Sequence, residues 1–175
     1  MGIGIKKGAL IALVAFVGIN LPLQADWRQF QSLTGKCSVS FPSQPEHIRQ
    51  TMNVPEEKVD LNYDVYVAAE GNKAVYMVLI AEYPSFVDES YAELSLESFL
   101  NGIVSQHPSN QLVSADLINV QGNKGVDFFV KTEDVYFKGR AVMAKNSLYL
   151  LAMECEEANY SESSFNRFIS SFKLQ

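Results

Sequence analysis

Histidine and cysteine are scarce in this chain, two of each in 175 residues, and there is one tryptophan. Hydrolytic and transfer chemistry at neutral pH draws on a nucleophile with a base, on paired carboxylates or on a metal. His47 and His107 lie 60 positions apart. Beyond residue 25 there is no H-E-x-x-H, C-x-x-C, G-x-S-x-G, P-loop or G-x-G-x-x-G. No D-x-[DN]-x-[DN]-G calcium loop occurs either, so no metal site and no cofactor is expected, and the chain reads as a non-enzyme. Bases are the minority charge, 14 against 20 acids, for a net charge of −6. Such a surface repels nucleic acid and anionic lipid. Also missing are internal repeats, low-complexity tracts and a Pro/Gly/Ser linker, so no second domain is indicated.

The one long apolar run is at the start. Lys6 and Lys7 precede an apolar stretch over 8–23 that is broken only by Asn20 and Pro22, followed by Gln24 and Ala25. That is the layout of a secretory signal peptide. The run is shorter than the roughly 20 residues that span a bilayer, and Pro22 ends its helix ahead of a cut after Ala25. Residues 1–25 are therefore read as a cleaved leader and 26–175 as one globular domain, exported to a periplasm or outside the cell, with no stable membrane anchor after cleavage. Loss of the two lysines leaves 12 bases against 20 acids. About 150 residues suffice for a single core.

Within that domain the periodicity is legible. Cys37, Val39 and Phe41 alternate with polar residues, as do Val59, Leu61, Tyr63, Val65 and Val67, while 74–81 is apolar throughout, like a strand covered on both faces. A weaker strand is expected over 47–54. Leu96, Phe99, Leu100, Ile103 and Val104 fall at helical spacing, with Ser90 and Glu93 as a capping box and His107 as a cation in the last turn. Four strands follow, over 112–120, 124–132, 135–144 and 147–155, joined by links short enough to force antiparallel hairpins. A last helix begins near Ser161, with Phe165, Phe168, Ile169 and Phe172 on one stripe. This order predicts an α+β domain: an antiparallel sheet of about 7–8 strands flanked by helices.

Two strings carry a resemblance. Gly35-Lys36-Cys37-Ser38-Val39-Ser40-Phe41-Pro42-Ser43-Gln44-Pro45 resembles the "G-x-F-S-V-x-F-P-x-x-P" opening of many exported bacterial proteins of unknown function, and 165–174 resembles their closing "F-x-x-S-F-x-L". Those proteins are similar to the Mog1/PsbP-like fold, an α/β/α sandwich. Cys37 departs from the pattern, standing where an aromatic residue is usual. The resemblance implies a non-catalytic binding or assembly role toward another protein, including membrane-associated ones, and it marks no site residues.

Several features stay open at this level. Cys37 and Cys155, both on apolar strand faces, either close a disulfide over about 120 residues or remain two separate buried thiols. Lys124, Lys131, Lys138, Arg140 and Lys145 crowd two neighbouring strands. If register aligns them, Lys131, Tyr136, Lys138 and Arg140 form an interaction patch for an acidic partner; otherwise they pair across strands with Asp127, Glu133 and Asp134. The acids at Glu56-Glu57, at 88–97 and at Glu154, Glu156 and Glu157 read as solvated surface. Tyr83 and Phe86 either cap the core or form an exposed anchor. Two rival functions make distinct demands: a hydrolase must bring His107 to Asp88 or Glu89, and an apolar-ligand binder must have a cavity lined by Phe99, Phe128 and Phe168.

Overall fold

Among the described residues, eight strands and two α-helices follow the periodicities in order, and two further strands, one before them and one after, were not expected. The computed structural model describes residues 26–54 and 59–175, with side chains described for 26–51 and 61–175. Residues 1–25, expected to be a leader, and Glu56-Glu57 lie outside the described residues. The strands are β1 Arg28–Ser32, β2 Cys37–Phe41, β3 Glu46–Val54, β4 Val59–Glu70 and β5 Ala74–Glu82; helix α1 is Ala92–Val104. Next come β6 Asn110–Val120, β7 Asn123–Thr132, β8 Val135–Ala144, β9 Ser147–Glu156, helix α2 Glu162–Ser170 and a short β10, Lys173–Leu174.

Seven strands form one antiparallel sheet in the order β3-β4-β5-β9-β8-β7-β6. The expected sheet of about 7–8 strands is thus present, but β2 is not in it. It belongs to a separate sheet, β1-β2-β10, that lies over one face of the large one. The aromatic lead-in at Trp27 and Phe30 belongs to this small sheet, where β1 pairs with β2 as a hairpin.

The central strands explain the continuous apolar runs. On β9, Leu148 through Met153 are all buried, because both faces of the sheet are covered. On one face Leu96, Phe99 and Ile103 of α1 pack on Val126, Phe128, Ala141, Leu150 and Met77. On the other, Phe165, Phe168 and Phe172 pack with Val39 and Phe41 of β2 on Tyr76, Leu151 and Met153. Phe168 meets Phe41 and Tyr76 at ring-centroid distances of 5.6 and 5.2 Å. Gly139 in β8 makes room for the α1 side: a β-carbon there would come within 2.7 Å of Phe128 Cζ and 2.8 Å of the Leu151 carbonyl oxygen.

The two motif strings are joined physically. Strand β10 pairs with β2, setting Leu174 beside Cys37 and Lys173 beside Ser38, and the Ser40 N–H donates to Ser171 Oγ. Gly35 accepts from the Tyr149 hydroxyl at 2.9 Å and would clash with Ile80 if it carried a side chain. The motifs therefore record how the ends of the domain are pinned over the core.

The helix start differs from the expectation. Asp88, not Ser90, is the cap, accepting from the Ser90 amide and hydroxyl at a short 3-10 turn, Glu89–Tyr91, that leads into α1. Glu93 is thereby freed and takes Lys124 instead. His107 lies beyond the end of α1, where its Nδ1 accepts from the Ser109 amide, so it does not complement the last turn. Ser161 caps α2 as expected. No helix among the described residues is long and apolar enough to cross a membrane.

Candidate interaction surface

Register settles the geometry of the predicted patch. Directly paired residues of an antiparallel ladder share a face, and Asp127 pairs with Arg140, Phe129 with Lys138, and Lys131 with Tyr136. All six side chains therefore lie together, on the α2 side of the sheet. They do not form a free basic surface. Arg140 is held by Asp127 through two bonds of 2.7 and 2.8 Å. Lys131 reaches Glu157 at 2.9 Å, and Lys138 reaches Glu162 and the Tyr160 hydroxyl at 2.8 Å each. Those lysines hold the Glu157 and Glu162 carboxyls below the usual carboxylate range. Of the cross-strand partners expected, Asp127 is used and Asp134 acts on Lys131 through its charge alone, while the hydrogen-bonded partners of the two lysines are Glu157 and Glu162, brought in by the chain after β9. Phe129, Tyr136 and Tyr160 fill the space between the ion pairs.

The cysteines do not bridge. Both thiols are free and buried in the same core, at different ends of it. Tyr149 reaches Gly35 next to β2, whereas Cys155 lies six residues further along β9, about 20 Å away in an extended strand. Burial pushes the Cys37 thiol up to about 11 and raises that of Cys155, so neither is a reactive thiolate.

The rival sites come apart in the fold. Asp88 and His107 stand at opposite ends of α1, a helix of 13 residues and about 20 Å. Phe99 and Phe128 lie on the α1 side of the sheet and Phe168 on the other, each buried among neighbours, so the three cannot line one cavity. Glu154 corrects the expectation for acids. It lies on the α1 side between Val75 and Phe137, half-buried, and desolvation raises its carboxyl above the usual range.

One imidazole–carboxylate pair was not anticipated. His47 Nε2 lies 2.6 Å from Asp64 Oδ1, and the ring stacks on Tyr66 at 4.4 Å. His47 and Asp64 are 17 positions apart and meet only through the β3–β4 register, which places His47 opposite Tyr66 and Arg49 opposite Asp64. The alternation in β4 was the available signal; the weak pattern of β3 concealed its partner.

Asp64 lines a polar cleft of about 350 Å³ at the end of the sheet where β5 finishes and β9 begins. Lys36, Arg49, Glu82, Lys145 and the C-terminal Gln175 also line it. A shallower groove of about 490 Å³ adjoins it, sharing Glu89, Lys145 and Asn146. Lys36 and Lys145 hold left-handed backbone, with φ of 48° and 54°, which turns both chains sharply at the rim. Two exposed apolar side chains flank these openings: Leu33, 81% exposed on the β1–β2 turn, and Phe86, 68% exposed on the loop before α1. Tyr83, on the same loop, is buried, so the two loop aromatics divide between core and surface. Among the described residues no three His, Cys, Asp or Glu side chains come together as a metal ion would need.

No family model matches the sequence, and no curated relative matches it. Among solved structures, the chain is similar to the solution structure of cyanobacterial PsbP (CyanoP) from Synechocystis sp. PCC 6803, with a TM-score of 0.59 and 13% identity over 89% of this chain and 96% of that one. It is also similar to a crystal structure from Bacteroides thetaiotaomicron VPI-5482 (TM-score 0.47, 10% identity, 88% of this chain and 49% of that one). A third is a protein of unknown function from Pseudomonas aeruginosa (TM-score 0.41, 15% identity, 63% of this chain and 85% of that one). The protein has a PsbP-like α+β fold.

Proposed function

We propose that this is an exported, non-catalytic binding or assembly protein of the cell envelope, working in the periplasm or outside the cell by contact with another protein or a membrane-associated assembly. The observation that carries the reading is the pair Leu33 and Phe86: two large apolar side chains on separate loops, both left in water, Leu33 next to Thr34 of the polar cleft and Phe86 between Ser85 and Val87 of the groove that adjoins it. Exposed apolar groups rimmed by polar and charged ones are the usual make-up of a protein contact. Lys36 and Lys145 have no ion-pair partner among the described residues and supply the polar rim. The PsbP-like fold is compatible with such a role.

The test is site-specific photo-crosslinking in cells. A crosslinker at position 33 or 86 should capture one protein at near-stoichiometric yield, and one at position 73, on the β4–β5 turn at the far end of the sheet, should not. Recovery of no protein, with a small molecule co-purifying instead, refutes the reading. Intact-mass measurement of the same material should give a chain beginning at Asp26.

A second reading, hydrolysis, has one observation behind it, the His47–Asp64 pair beside the cleft. Its ring lies flat on Tyr66, and no Ser, Thr or Cys hydrogen-bonds to it among the described residues. Ester or amide cleavage abolished by His47→Ala would favour it over docking.

A further inference from the structure

The two edges of the large sheet are unlike. Edge strand β3 carries Glu46, His47 and Arg49, and charges of this kind discourage edge-to-edge pairing. Edge strand β6, at the opposite side, has one charge in 11 residues, Asp116. It exposes Leu112, Val113 and Leu117, the last at 72%. Its inner edge is paired with β7, and no described strand pairs with its outer edge, which leaves every second N–H and C=O facing water.

The two faces of β6 differ in what they want. Leu112, Ala115 and Leu117 pair with Val130, Phe128 and Val126, so they lie on the α1 side, in line with that core. Asp116 lies on the other face, and its direct cross-strand partner is Asp127. Like charges placed opposite each other oppose pairing. Arg140 neutralises Asp127 from β8, but no cation reaches Asp116 among the described residues. On the α1 side Glu97 follows Glu93 by one turn; Glu93 holds Lys124, and Glu97 has no ion-pair partner there.

We propose that β6 receives an extended segment of another protein as an added strand, with a basic residue opposite Asp116 and apolar residues on either side of it facing Ala115 and Leu117. The charge order across the sheet would then run cation, Asp116, Asp127, Arg140, which gives the uncompensated acid a partner. A second copy of this chain fits less well, since its own β6 brings another acid and no base. This goes beyond docking at the cleft and does not depend on it: crosslinks at 33 and 86 can fail while β6 still binds.

The probe is a blocked pentapeptide, Val-Lys-Val-Thr-Val, titrated into isotope-labelled protein and followed by amide chemical shifts and hydrogen exchange. Saturable shifts and new protection along 112–120 are expected. A matched peptide with Glu in place of Lys should bind more weakly, and Asp116→Asn, which relieves the acid pair and leaves the fold intact, should weaken the Lys peptide by about two- to fivefold and level the two affinities. Equal affinity of both peptides for the native protein, shifts centred elsewhere, or a concentration-dependent dimer that protects 112–120 in the absence of peptide would each overturn the proposal.

Discussion

Glu154 is the side chain on which burial and charge are most at odds. It is flanked across strands by Val75 and Phe137, follows the fully buried Ala152 on the same face, and has neither hydrogen bond nor ion pair among the described residues. Desolvation raises its carboxyl pKa in the folded state above the unfolded value. Between those two values the native state holds more protons than the unfolded chain, so the contribution of Glu154 to stability is most favourable at low pH and is lost as pH rises through the raised value. Glu154→Gln keeps the shape and removes the ionisation. Fully burying an unpartnered polar group costs about 1–3 kcal/mol, and more when it is charged, but Glu154 is half-buried and its oxygens still touch water, so it bears only part of that cost. The variant should therefore be more stable than the native protein at pH 7–8 by about 1–2 kcal/mol. In a domain of this size that is a rise in Tm of about 2–8 °C. Below about pH 4, where both forms are neutral, the two Tm values should converge. Thermal unfolding followed by circular dichroism from pH 3.5 to 8 measures the gap. A gap that does not change with pH, or a native protein more stable than the variant at pH 8, refutes the argument, because either result means the carboxylate has a compensating partner.

Other perturbations test other parts of the structure. Arg140→Ala leaves Asp127 without its guanidinium on a half-buried surface and should cost about 1–3 kcal/mol by denaturant titration, with much of the loss recovered when Asp127→Asn is added. Gly139→Ala should destabilise by about 1–3 kcal/mol, because its methyl group meets a backbone carbonyl that cannot turn away as well as the Phe128 ring. Phe168→Ala, which empties a site shared by β2, β5 and α2, should cost about 3–5 kcal/mol. Neither cysteine should react with a thiol reagent at pH 8 in the native state, and both should react in denaturant; an oxidised mass, lighter by two hydrogens, would contradict the free thiols.

How far the sequence reached follows from which interactions are local. Strand period in β4, continuous burial in β5 and the helical stripes of α1 and α2 depend on near neighbours, and all are legible. Membership of β2 in a second sheet is not, because Cys37, Val39 and Phe41 alternate equally well on either sheet; their position is decided by β10, more than 130 residues later. Parity placed Lys138, Arg140 and Tyr136 on one face, but Glu157 and Glu162 reach Lys131 and Lys138 only because the chain turns back after β9. Glu154 misleads for the same reason: beside Glu156 and Glu157 it reads as surface, while its side chain faces Val75 and Phe137. The His47–Asp64 contact needs the β3–β4 register, which no local pattern supplies.

Covering both faces of the sheet has a consequence for where recognition can occur. Helix α1 covers the centre of one face, and α2 with the small sheet covers the centre of the other, so most of the broad surface that a two-layer protein would offer a partner is already used in the core, and the α1 face is left open only toward β6, at Leu112 and Leu117. What remains is the rim: loop ends and strand edges. The end where β5 finishes gathers loops from distant parts of the chain and leaves Leu33 and Phe86 in water, and the β6 edge leaves Leu117 and a row of backbone groups there. These are different kinds of surface. Substitutions at Leu33 or Phe86 remove side-chain anchors and should slow or weaken docking with little effect on the sheet. A proline at position 117 does the opposite, because it alters the backbone of the edge and leaves the loops alone. If one partner spans both, single changes at the two places should show coupled effects on its affinity; if two partners divide them, the effects will be independent.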